Sequence, residues 1–139
     1  MNIGRSLFSV IVAVIAGLAI ARFIEAGASA LLNENTQSIG ALQNYSASFQ
    51  LSLLAGWFIA AFFATAIALL LGRRWAPLGI VSAATVAFSA IITMISFPLS
   101  VWLWPASLIA TAIGGFAALK ILRAKSILER TPQERLFED

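Results

Sequence analysis

The chain has no cysteine and no histidine in its 139 residues. That excludes disulfides, thiolate nucleophiles, Cys/His zinc sites, haem ligation by imidazole and histidine proton relays. Charge is scarce as well, at 11% of residues, whereas a soluble domain usually carries about 25%. With 60% hydrophobic residues and a mean hydropathy of +0.94, the chain cannot clothe a water-facing surface. The sequence also lacks any nucleophile–base pair or metal-ligand set with workable spacing. No catalytic residue, metal or cofactor is therefore expected. The pI of 10.2 does not indicate nucleic acid, because the basic residues form no soluble patch.

What fills the chain is four apolar runs, Leu7–Leu32, Leu51–Leu71, Leu78–Phe97 and Val101–Leu122. Each is long enough to cross a hydrocarbon core of about 30 Å as a helix rising about 1.5 Å per residue. The predicted fold is an all-α integral membrane protein, an antiparallel four-helix bundle over residues 1–125 with a tail from 126 to 139. The first run needs separating from a signal peptide, since Arg5 precedes it and Ala28-Ser29-Ala30 has a cleavage-site pattern. Apolar character resumes after Arg22, so the run is read as an uncleaved span.

Topology follows from charge. Arg5 precedes span 1, Arg73 and Arg74 join spans 2 and 3, and Lys120, Arg123, Lys125, Arg130 and Arg135 close span 4 and fill the tail. The connections 33–50 and 98–100 contain no Lys or Arg. The positive-inside rule then predicts both termini in the cytoplasm. In the first outer connection, Ile39, Leu42, Tyr45 and Phe49 share a helical face, so residues 36–50 are expected to lie along the outer interface or to extend span 2. Gly72 is expected to close span 2 as a C-terminal glycine, with the two arginines at the negative end of the helix dipole. Trp75, Trp102 and Trp104 are placed as interface anchors, and Pro77 and Pro105 in first helical turns.

Small residues recur every fourth position. Ala13, Gly17 and Ala21 do so in span 1, Gly56, Ala60, Ala64 and Ala68 in span 2, Ala83 and Ala87 in span 3, and Ala106, Ala110, Gly114 and Ala118 in span 4. Such stripes let backbones approach closely, which matters in lipid because apolar burial no longer drives association. Internal packing is the simpler use of each stripe, and docking of a partner's helix is the other. Phe58, Phe62, Phe63 and Phe88 are left to face lipid or a neighbour.

Arg22 and Glu25 are the only charges well inside an apolar run. Ionisable residues at membrane depth are functional candidates by default. Counted from Leu7, both lie nearer the outer interface than the midplane, and i,i+3 spacing lets them pair. An interfacial pair or helix anchor is the plain reading; a proton or substrate site, or contact with a partner subunit or headgroup, are the alternatives. Ser82, Thr85, Ser89, Thr93 and Ser96 on span 3 are expected to bond their own i−4 carbonyls.

Phe23-Ile24-Glu25-Ala26-Gly27, the basic loop before Trp75-Ala76, and Met94-Ile95-Ser96-Phe97-Pro98-Leu99 ahead of a Trp-rich span 4 give the chain a likeness. It resembles a group of small, uncharacterised four-span bacterial inner-membrane proteins. The resemblance implies a fold and a bacterial membrane location, and carries no activity. The chain is also similar in length, span number and possession of a span-1 glutamate to the small multidrug resistance transporters. It departs from them in the late position of Glu25, its pairing with Arg22 and the long outer connection. The expected role is a non-enzymatic structural or accessory subunit. Its partners would be membrane lipids, pigments, other membrane subunits or a second copy. A dimeric proton-coupled exporter of cationic compounds using Glu25 is the rival.

Overall fold

The computed structural model describes residues 3–32, 46–96 and 99–124. Four helices, α1 Ile3–Leu32, α2 Ala47–Leu71, α3 Ala76–Ser96 and α4 Leu103–Ile121, account for the regular structure, with no strand among the described residues. All four are long and apolar enough to cross a membrane. At about 1.5 Å per residue, the 30 residues of α1 reach about 45 Å and the 19 of α4 about 28 Å. A core of about 30 Å therefore accommodates α4 upright, whereas α1 must tilt or project.

The helix ends follow local chemistry. Ser46 caps α2, its Oγ accepting from the Phe49 N–H at 3.3 Å. Pro77 and Pro105 sit in the first turns of α3 and α4, where a missing N–H removes no helical bond. The expected 36–50 segment lies outside the described residues as far as Tyr45; from Ala47 it continues as the start of α2, with Phe49 buried. The tail 126–139 also lies outside them.

Gly72 closes α2 as expected, its N–H donating to the Ala68 carbonyl at 2.8 Å, but it does so without left-handed backbone. That residue has an ordinary negative φ of −93°, and the left-handed positions fall on Arg73 and Arg74 at φ 55° and 61°. The Arg74 N–H reaches back to the Leu69 carbonyl at 2.6 Å, closing a Schellman turn on an arginine. Space, not backbone freedom, is what the glycine supplies. A β-carbon there would run into Leu78 Cδ1 and lie 2.7 Å from the Ala68 carbonyl. The end of α4 repeats the turn: Arg123 has φ 47°, and the Ala124 N–H donates to the Leu119 carbonyl at 2.9 Å.

In the packing, α2 is the hub. It lies against α1, α3 and α4, while α3 also touches α1 and α4. Residue numbers on α1 rise as those of their α2 partners fall: Arg5 meets Leu71, Gly17 meets Ala60 and Ala64, and Ile24 meets Gly56. Along the bundle the core changes in grain. Large side chains, Phe49, Leu53, Trp57, Met94 and Leu103, fill one end together with Ala28 and Ala90. Ala60, Ala61, Ala64 and Val86 fill the middle, and Ala13, Ala68 and Leu78 the end where α2 turns into α3. The helices can thus approach closely in the middle and stand further apart where Trp57 is accommodated.

Candidate functional site

Arg22 and Glu25 stand one turn apart on α1. Arg22 Nη1 donates to Glu25 Oε2 at 2.9 Å, with the Arg22 side chain 65% exposed and that of Glu25 18%. The carboxylate is turned toward the bundle and the guanidinium lies on its outside. Depth can be read from the next helix. Ile24 rests on Gly56, which is about 7 Å inside the apolar run that opens at Leu51. That level is nearer the end of the bundle than its middle. An ion pair closed within one helical turn neutralises itself, and it needs no partner on α2, α3 or α4. Among the described residues no three carboxylates or imidazoles come together to hold a metal.

The opposite end of the bundle is basic. Arg5 Nε donates to the Leu71 carbonyl at 3.2 Å, which brings the start of α1 to the end of α2 beside Arg73 and Arg74. Gly79, at the start of α3, packs against Leu119 of α4, so Lys120 and Arg123 belong to the same end. All five cationic side chains are exposed. Cations there offset the partial negative charge of the α2 and α4 C-termini.

The small-residue stripes sit as follows. Ala13, Gly17, Gly56, Ala60, Ala64, Ala68, Gly114 and Ala118 are buried, and Ala21, Ala106 and Ala110 are half-buried. A β-carbon on Gly17 would lie 2.7 Å from Ala64 Cβ and 3.2 Å from the Ala60 carbonyl. One on Gly114 would lie 2.5 Å from the Phe58 carbonyl oxygen, and one on Gly115 2.9 Å from Ala83 Cβ. Adjacent glycines therefore serve two helices, Gly114 facing α2 and Gly115 facing α3. On α4 the buried row runs Leu103, Ser107, Thr111, Gly114, Gly115 and Ala118, so Ser107 and Thr111 lie deeper than their neighbours Ala106 and Ala110.

The tryptophans divide between ends. Trp75 packs on the Ala13–Ala68–Leu78 cluster at the basic end. Trp102 and Trp104 are exposed at the other end. Phe58, Phe63 and Phe88 are exposed on the outside of the bundle and Phe62 is half-buried.

Ser82, Thr85, Thr93 and Ser96 each donate to the carbonyl four residues earlier, at 2.9–3.0 Å. These hydroxyls are occupied within their own helix. Two residues that the stripe reading passes over matter more. Trp57 is a core residue, not an interface anchor. Buried Thr65 donates to the Gly79 carbonyl at 3.4 Å, and its Oγ1 would lie 3.5 Å from a β-carbon on Gly115, which puts it where α2, α3 and α4 meet. Its signal was present as a second row on α2, Trp57, Ala61, Thr65 and Leu69, one step round from the alanine stripe.

No protein-family model, curated protein or solved structure matches the chain.

Proposed function

We propose that this protein is a non-enzymatic structural or accessory subunit of a bacterial inner membrane, an antiparallel four-helix bundle with both termini cytoplasmic. Other membrane proteins, pigments or lipids would bind through its helix faces. The observation that carries this reading is the position of α1. Half of the apolar window of α2 is buried but only 17% of that of α1, which packs through one narrow edge of small residues. Phe8, Ile11, Ile15, Phe23 and Leu31 are left outside the bundle, Phe23 81% exposed and Leu31 84%. The opposed residue numbering of the α1–α2 contacts supports the antiparallel arrangement. The gathering of Arg5, Arg73, Arg74, Lys120 and Arg123 at one end supports the orientation.

Photo-crosslinking in native membranes tests the subunit role. A photoreactive residue at Ile15 or Phe23 should give discrete higher-mass products, and one at the buried Ala13 should give none. Equal yields from the three positions would count against a defined partner on α1.

The exporter reading draws on one observation, the inward turn of the Glu25 carboxylate. Its pairing with Arg22 at 2.9 Å weighs against it, because a proton carrier needs a carboxylate free to cycle between charge states. Proteoliposomes holding a pH dye and challenged with cationic drugs separate the two. A drug-dependent proton flux lost in Glu25→Gln would overturn the subunit reading.

A further inference from the structure

We propose that the basic end of the bundle is a binding site for the phosphate headgroups of anionic phospholipids. Arg5, Arg73, Arg74, Lys120 and Arg123 converge there, all exposed. Among the described residues no carboxylate shares that end; Glu25 sits toward the other and is held by Arg22. The convergence is built by contacts. Arg5 Nε is fixed on the Leu71 carbonyl at 3.2 Å, which holds its guanidinium against the end of α2 with the Nη groups still to be used. Gly79 against Leu119 ties the end of α4 to the start of α3.

Two features go beyond the charge bias that sets topology. Arg73, Arg74 and Arg123 occupy left-handed backbone at φ 55°, 61° and 47°, where glycine is the unstrained choice. A cation stands at each of these three positions although the backbone geometry there disfavours any side chain. Arginine also fills four of the five places, and its planar fork matches two oxygens of one phosphate in a way an ammonium does not. Each basic side chain near an anionic surface contributes about fivefold to the local association constant.

The proposal rests on the membrane reading, and the experiment keeps the two apart. The full chain carrying Trp102→Phe and Trp104→Phe, so that Trp75 at the basic end reports over the constant background of buried Trp57, is reconstituted into phosphatidylcholine vesicles and checked by flotation. The full chain is used, so that every charge from 125 to 139 is present in each measurement. Brominated phosphatidylglycerol or brominated phosphatidylcholine is then titrated, and fluorescence quenching gives their relative association constants. The expected result is a preference of about fivefold or more for the anionic lipid, declining as salt screens it. The preference should fall several-fold in Arg73→Gln/Arg74→Gln/Arg123→Gln and persist in Arg22→Gln. A chain that does not float overturns the membrane reading; one that floats with no anionic preference overturns this proposal alone, whether or not the triple variant folds. Preference retained in the triple variant, or lost in Arg22→Gln, places the site elsewhere and also overturns it. Loss of preference in sodium phosphate, but not in chloride of equal ionic strength, would assign the site to free phosphate instead of a headgroup.

Discussion

Left-handed arginines are the clearest case in this chain of one residue serving two demands. An L-residue other than glycine in that region costs about 1–2 kcal/mol, while glycine forfeits about 0.5–1 kcal/mol of unfolded-chain entropy. Arg123→Gly should therefore shift the SDS-unfolding midpoint upward by up to about 1 kcal/mol, and Arg123→Val should shift it downward, since branching at Cβ worsens the same geometry. Gly72→Ala behaves oppositely to a substitution at a left-handed glycine. It introduces a collision with Leu78 Cδ1 at a residue whose φ of −93° any side chain tolerates. Its cost, about 1–3 kcal/mol, comes from crowding and should be relieved in part by Leu78→Val. Glu25→Gln should change the same midpoint by no more than about 1 kcal/mol, because its partner Arg22 is largely exposed and such pairs contribute little.

Helix by helix, the bundle depends on how few atoms stand between backbones. Gly17→Leu puts bulk where Ala64 Cβ and the Ala60 carbonyl already meet the α1 backbone, and Gly114→Leu does so against the Phe58 carbonyl. Each should destabilise the bundle by about 1–3 kcal/mol or more in SDS titration, and more than Leu122→Ala at the half-buried end of α4. Equal behaviour of Gly114→Leu and Leu122→Ala would contradict the tight α2–α4 seam. The four helices were legible in the sequence because uninterrupted apolar length is a strong signal, and α1 differs chiefly in starting at Ile3, a turn ahead of Leu7. Burial within a helix was less legible. Where every face is apolar, small size alone marks the buried side, and Ser107 and Thr111 are small but polar. Their hydroxyls bond within the helix, Thr111 to the Ser107 carbonyl at 2.9 Å, so they enter the core at little cost. Trp57 was hidden for the converse reason: it is large, and the place it fills is made by four helices at once.

Over the whole molecule, the arrangement has two unlike ends. One is filled by the large side chains of Phe49, Leu53, Trp57, Met94 and Leu103; the other is packed with Ala13, Ala68 and Leu78 and ringed with arginine. Charge placement was readable from the sequence because it depends on position along the chain. That Arg5 would lie on the Leu71 carbonyl, or Lys120 share an end with Arg73, depended on how the helices pair. The partner proposed for α1 was not readable at all, since lipid and protein both cover apolar side chains. The central claim, four spans with the basic end inside, is tested most directly by cysteine labelling of intact cells, as the chain has no cysteine of its own. Gly4→Cys and Ala124→Cys mark the basic end, and Ser48→Cys and Ser100→Cys the other. The account predicts that an impermeant maleimide added outside labels Ser48→Cys and Ser100→Cys, and reaches Gly4→Cys and Ala124→Cys only after permeabilisation. Labelling of Gly4→Cys and Ala124→Cys from opposite sides, or of both from outside, would contradict it.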